Sequence, residues 1–226
     1  KGYLNPIKKR KNLKIIVNAH VQKLNFNNKS VESVSFFTGD KLNHAKANKE
    51  VILSAGAIGS PHLLQISGIG DSEKIKNQGI DIVHELKGVG KNLQDHLMFR
   101  PVYKLKNIKS LNRDVESLYS RFLMGLQYIL KQSGPITMGA SQVCAFTKSD
   151  PSRATPNLQF HVQPLSTDIL GVTPMHNFEG ITPTVANIRP TSRGEINITS
   201  NDSRDNPKIK MNYLSTEDDR IVAAKS

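Results

Sequence analysis

The chain has 226 residues, 37% hydrophobic and 22% charged, enough to bury a sizeable core as one large domain or two small ones. Its formal charge is +12, from 31 Lys and Arg against 19 Asp and Glu, but only residues 8–11 (KKRK) form a dense basic run, and no aromatics interleave the rest. This excludes an apolar run long enough to cross a bilayer and, with one cysteine, an internal disulfide framework; it speaks against nucleic acid as a partner.

In chain order, the run LKIIV at 13–17 predicts a strand, followed by HVQKLNF at 20–26, a turn at NNKS and a returning strand VESVSFF at 31–37. TGDK turns the chain again, giving a small antiparallel meander that feeds EVILSAG at 50–56. That last run is continuously apolar rather than alternating, which predicts a buried strand covered on both faces. Ser60-Pro61 predicts a helix start, since Ser can cap free amides and Pro needs no amide partner in a first turn. Gly68 is placed to end that helix with positive φ. A second helix opens at Asp71 or Ser72 and closes near Gly79; IDIVHEL at 80–86 is strand-like, and KGVGKNLQDH at 87–96 is a loop.

From Phe99 the pattern changes. FRPVYKL is a short strand, and residues 114–132 place Val115, Leu118, Phe122, Ile129 and Leu130 at helical spacing, with Tyr119, Leu123 and Leu126 widening the face. This predicts one long helix covering a sheet and stopped by Gly134-Pro135. The strands of that sheet are SQVCAFT, NLQFHVQ, TPTVANIRP and GEINITS. Cys144, in the first of them, is expected to be a buried, inert thiol. No Cys/His pair has metal-ligand spacing, so no metal site is expected.

The glycines of GAIGSPHLLQISGIG, residues 56–70, have two local readings. A strand, a tight turn and a helix N-terminus can cradle an anion. Alternatively, Gly56 and Gly59 permit close helix–strand packing while Gly68 and Gly70 serve caps and turns. Gly56 and Gly59 do not form the G-x-G-x-x-G fingerprint. Followed by GVGKNLQDH, however, the stretch resembles the signature of the glucose–methanol–choline oxidoreductase family of flavoenzymes. NLKIIVNAHVQKLNF, GPITMGASQVCAFTKSD, NLQFHVQPLS and RPTSRGEINITSNDSRDNPKIKMNYLSTEDD resemble further blocks of the family, so the likeness runs along nearly the whole chain.

The resemblance implies a mixed α/β fold. Residues 1–98 would be part of an FAD-binding, doubly wound domain. Residues 99–226 would be a substrate-binding domain with an antiparallel sheet flanked by helices, together with the start of the family's C-terminal region. It implies FAD as cofactor, hydride transfer from a primary alcohol to the flavin to give an aldehyde, and an electron acceptor that is a quinone, a carrier or oxygen. It also implies roles for particular residues. Val21 matches a position whose backbone meets the adenine; Ser54, Ala55 and Gly56 match the strand end beside the nucleotide; Asn92 and His96 match the crossing near the flavin, although both can equally be loop-fixing hydrogen bonders. Met98 and His161 match the substrate pocket.

Choline-specific relatives carry a glutamate where this chain has Met98, and a thioether cannot pair with a quaternary amine, so a neutral primary alcohol is the expected substrate. A true choline dehydrogenase that holds its cation by aromatic rings, with Phe99, Tyr103 and Tyr119 as candidates, is one alternative. A basic binding module without catalysis is another. No catalytic residue is expected within the chain; the catalytic His of the family is expected beyond Ser226, and the dinucleotide fingerprint before Lys1. The chain is thus expected to be an internal fragment, weak in FAD retention and inactive by itself, from a cytoplasmic protein or one peripheral at the inner membrane.

Overall fold

The computed structural model describes residues 2–139, 141–169 and 171–226. The chain forms two compact units, Lys1–Leu93 with Arg193–Asn212, and Gln94–Ser192 with Tyr213–Ser226.

In the first unit, a single turn α1 (Leu4–Ile7) precedes the meander of β1 (Ala19–Asn27), β2 (Ser30–Thr38) and β3 (Lys41–Lys46), ordered β1-β2-β3 and antiparallel throughout. Asn28 turns β1 into β2 at φ +54, a left-handed geometry that Asn tolerates. Residues 13–17 pair with no strand among the described residues, contrary to expectation. Asn18, at φ +53, takes the backbone out of extended geometry at the entry to β1, and Ile15, Ile16 and Val17 stay exposed. The expected buried strand at 50–56 does not form either. Among the described residues no strand pairs with it, and Ile52 is 78% exposed.

Helix α2 (Gly56–Ile66) starts four residues before the expected Ser60. Instead of capping, Ser60 turns back and its Oγ accepts from the Ala55 amide at 3.1 Å. Gly68 closes the helix at φ +87, as its position predicted, and a Cβ there would lie 2.4 Å from the Asp81 carbonyl. After the two-residue β4 (Ile69–Gly70), α3 (Ser72–Lys76) is capped by Asp71, which accepts from the Glu73 and Lys74 amides, and Gly79 follows it at φ +71. The pair of β4 with β5 (His84–Glu85) is the one parallel pairing among the described strands; the mixed α/β class stands, with antiparallel sheets dominating it.

The core of this unit gathers Ile66, Ile75 and Ile198, with Ile80 and Ile82 against them. Ile198 arrives through residues 193–212, where β11 (Glu195–Asn197) pairs with β12 (Lys208–Lys210). Buried Gln65 bridges to this segment: its Oε1 accepts from the Ile198 amide and its Nε2 donates to the Ile196 carbonyl, both at 2.9 Å. Gly90 leaves the room for this. A Cβ at Gly90 would lie 2.3 Å from Gln65 Nε2 and 2.2 Å from the Ile196 carbonyl oxygen.

In the second unit, β6 (Met98–Phe99) and β7 (Tyr103–Lys104) lead to α4 (Leu111–Glu116) and α5 (Leu118–Lys131). Then come a 3-10 turn (Pro135–Thr137), β8 (Val143–Thr147), β9 (Leu158–Gln163), β10 (Gly180–Asn187) and, after the excursion into the first unit, α6 (Glu217–Lys225). The sheet order is β6-β10-β9-β8, with β7 also on β10.

The expected long helix is two helices, because extended Ser117 (ψ 121) interrupts it and caps α5 by accepting from the Ser120 amide. Nor does α5 cover the sheet with its apolar arc. Leu118 is 80% exposed, and Tyr119, Phe122, Ile129 and Leu130 are exposed with it, while Ser120, Met124 and Gly125 are the sheltered residues. The apolar face of the sheet is taken by α6 instead: Val222 packs with Leu158 and Val185, and Phe160 lies against them. Cys144 is exposed, not buried, because β8 is an edge strand with β9 as its one neighbour.

Replacing Gln65 by Leu leaves the Ile198 amide and the Ile196 carbonyl buried without partners. The expected loss of stability is about 3 kcal/mol, read as a lowered midpoint in urea denaturation. An unchanged midpoint removes this bridge from the account.

Candidate functional site

The residues expected at the cofactor fall into two places in the first unit. Val21 lies on β1 opposite Phe36, beside an irregularity of register between Val21 and Lys23. Ser54, Ala55 and Gly56 form the approach to α2, all exposed, and α2 packs on β1. That contact is pinned by Ser67, whose Oγ accepts from the Leu24 amide at 2.9 Å and donates to the Leu63 carbonyl at 2.6 Å. No side chain caps the start of α2 and no acidic residue occupies its first turn, so its leading amides are open to an acceptor. Gly56 has φ +80 with open space where a Cβ would stand, so backbone geometry, not packing, requires glycine there.

Two imidazoles that the sequence reading did not single out belong to the same layer. His20, next to Val21, hydrogen-bonds through Nε2 to Ser203 at 3.0 Å. His62, on α2, is half-buried, and burial, assisted by the nearby His20, lowers its pKa below the usual 6.5. The His20-Val21 adjacency and the Ser-Pro-His run were the available signals.

The NLQDH segment divides. Leu93 exchanges backbone hydrogen bonds with Gly194, at 3.0 and 2.8 Å, inside the first unit. Asn92, left-handed at φ +62, lines a hollow of about 280 Å³ with Lys91, Arg193, Gly194, Glu195, Lys210 and Asn212. His96 belongs to the second unit and lines a separate hollow of about 250 Å³ with Gln94, Asp95, Ile188 and Pro190. There Asp95 accepts from the Tyr213 hydroxyl, and this bond to a carboxylate pushes the phenol up to about 12. A further hollow, about 450 Å³, runs along residues 22–26 of β1 and holds none of the expected site residues.

In the second unit, sheet register brings the two expected substrate residues onto one face. Met98 pairs with Ala186 of β10, and His161 pairs with Thr184 of β10 and Cys144 of β8. Thr184 and Ala186 are two residues apart, so their partners project to the same side. The next pair on this face, Gln163 with Thr182, extends it, and Arg100 donates to Gln163 Oε1 at 3.3 Å. The face is therefore polar, while the opposite face carries Leu158 and Val185 into the core. The buried Thr184 hydroxyl has no hydrogen-bond partner, and no bond to either ring nitrogen of His161 is found among the described residues.

Residues 1–98 match the GMC oxidoreductase family. These residues belong to that family. Two curated relatives, each named oxygen-dependent choline dehydrogenase, agree over 97% of the chain: the protein of Staphylococcus xylosus at 39% identity and that of Pectobacterium atrosepticum at 35%. The chain spans 39% of the length of each. Among solved structures, a variant formate oxidase of Aspergillus oryzae RIB40, solved in a study of FAD modification, superposes with a TM-score of 0.86 at 23% identity. It matches 97% of this chain and 43% of its own. That likeness establishes a shared fold. Among the described residues no group of three or more His, Cys, Asp and Glu is arranged to hold a metal, and no helix is long and apolar enough to cross a membrane.

Within this chain, burial favours the neutral form of His62. Because its folded pKa lies below that of the unfolded chain, its contribution to stability is full above pH 6.5 and declines as the pH falls below it. Imidazole NMR titration is expected to place His62 below 6.5. In His20→Asn its pKa rises only part of the way back, since burial is the larger cause.

Proposed function

We propose that the chain forms part of an FAD-dependent oxidoreductase that acts on the CH–OH group of a primary alcohol and yields the aldehyde. The observation that carries this reading is the polar sheet face on which Met98 and His161 flank β10, in a chain whose residues 1–98 belong to the GMC family. Residues 1–98 are assigned to the FAD-binding region, and residues 99–226 to the substrate-binding region and the start of the C-terminal region.

The first unit fits the adenosine side of FAD. Val21 stands at a register irregularity of β1, the leading amides of α2 have no side-chain cap, and open space adjoins Gly56. Main-chain groups of Val21, Ser54, Ala55 and Gly56 would hold the cofactor, with Asn92 assigned to it in the same unit. When bound, FAD supplies the hydride acceptor that no side chain can provide.

On the substrate side, this chain supplies His161 and Met98. His161, whose ring has no hydrogen-bond partner among the described residues, would hold the substrate hydroxyl by a hydrogen bond to a ring nitrogen and so fix the carbon that loses hydride. Met98, 54% exposed, offers the alcohol a polarizable, uncharged wall. The names of the relatives favour oxygen as electron acceptor over a quinone or carrier. A cytoplasmic location belongs to the same reading and rests on the single cysteine.

Choline as substrate is the second reading, favoured by the relatives' names. The two separate at Met98. In the full-length, flavin-loaded enzyme, neutral primary alcohols are expected to outperform choline in a dye-coupled assay. Met98→Glu is expected to lower the KM for choline about tenfold, equivalent to about 1.4 kcal/mol. Absence of a flavin absorbance band would sink the enzyme reading, and efficient choline turnover with Met98 in place would reverse the substrate order.

A further inference from the structure

The hollow around Asn92 has a chemistry of its own. Three segments distant in sequence, at 91–92, 193–195 and 210–212, place the cations Lys91, Arg193 and Lys210 on its lining, against the single carboxylate of Glu195. That carboxylate is already committed. Lys91 donates to Glu195 Oε2, and Lys74, from α3, reaches the same oxygen at 3.3 Å while also donating to Asn197 Oδ1 at 2.7 Å. The two ammonium groups hold the Glu195 pKa down to about 2, so it is fully ionised at neutral pH and still leaves this group one positive charge in excess.

Lys210 adds a further exposed amine, and the side chain of Asn92 has no hydrogen-bond partner among the described residues. Asn212 donates its Nδ2 to the Arg193 carbonyl at 3.1 Å, which holds the third segment against the second. The one other acid that acts on Lys91, Asp71, is engaged as the cap of α3. At Gly194 an added Cβ would lie 2.2 Å from the Lys210 carbonyl oxygen, so glycine lets the second and third segments approach this closely.

A concave surface with surplus positive charge and a free carboxamide donor suits a compact oxyanion, which accepts hydrogen bonds on every side. We infer that this hollow is a binding site for a phosphate-type anion, either free phosphate or the phosphate of an ester. The inference meets the flavoenzyme reading only at Asn92, which that reading places beside the cofactor; the residues varied in its test, Lys210 and Glu195, have no part in that reading.

The test titrates the 226-residue chain with inorganic phosphate, followed by ³¹P NMR line broadening and thermal shift, against potassium chloride at matched ionic strength. Saturable binding is expected with phosphate and not with chloride. Lys210→Met, an exposed position, is expected to weaken it at least about fivefold, while Lys46→Met on β3 leaves it unchanged. Glu195→Gln is expected to tighten binding, because it removes the one negative charge on the lining and frees two amines; a purely structural role for the cluster predicts no such gain. Phosphate effects reproduced by chloride, or binding indifferent to both Lys210→Met and Glu195→Gln, overturn the inference. A parallel titration with glycerol 3-phosphate, an ester without the adenine that the α2 region is proposed to hold, identifies the source: tighter binding than inorganic phosphate assigns a phosphate ester, and equal or weaker binding assigns the free ion.

Discussion

Much of the first unit depends on one buried amide side chain. Gln65 reaches from the last turn of α2 to the backbone of Ile196 and Ile198, offering a donor and an acceptor as a neighbouring strand would. This fastens residues 193–212 to a unit whose other residues end at Leu93. Ile198 can then join Ile66 and Ile75 in the core, and Glu195 is delivered to Lys74 and Lys91. An amide in this place is costly unless both of its ends are used, and here both are. The glycine at position 90 follows from the same geometry, since any side chain there would displace the Gln65 amide group.

The second unit is organised by β10, which has β6 and β7 on one side and β9 on the other. Its alternation separates two chemistries. Val185 faces α6 and the core, while Thr182, Thr184 and Ala186 present the polar side on which Met98 and His161 meet. The strand period of two residues is thus what turns a core sheet into a candidate substrate surface on its reverse. Asp219 anchors α6 to the same region by accepting from the Thr191 and Ser192 amides and from Asn187.

Local signals were the most legible part of the sequence. The Asn28 and Gly39 turns, the Asp71 cap and the ends of helices at Gly68 and Gly79 depend on backbone geometry within a few residues, and each is where the pattern put it. Apolar runs were less reliable. Residues 13–17 and 50–56 look like strands, but a strand also needs a neighbour at hydrogen-bonding distance, and none among the described residues pairs with them. The apolar arc of α5 exists but stays exposed, because which side of a helix faces its own unit is decided by its contacts with other elements. The burial expected for Cys144 failed for the same reason, since β8 lies at an edge.

By itself, the sequence determined the family, through the glycine-rich helix and the GVGKNLQDH loop, and with it the residue types that line the candidate site. Those motifs are short, and their spacing is recorded in the order of residues. Tertiary structure alone decided the grouping: that Asn92 and His96 belong to different units, that residues 193–212 return to the first, and that Met98 and His161 share a face. The reason is that register, strand neighbours and side-chain bridges such as Gln65 join residues up to 133 positions apart, and no local pattern encodes which distant partner a backbone group will find.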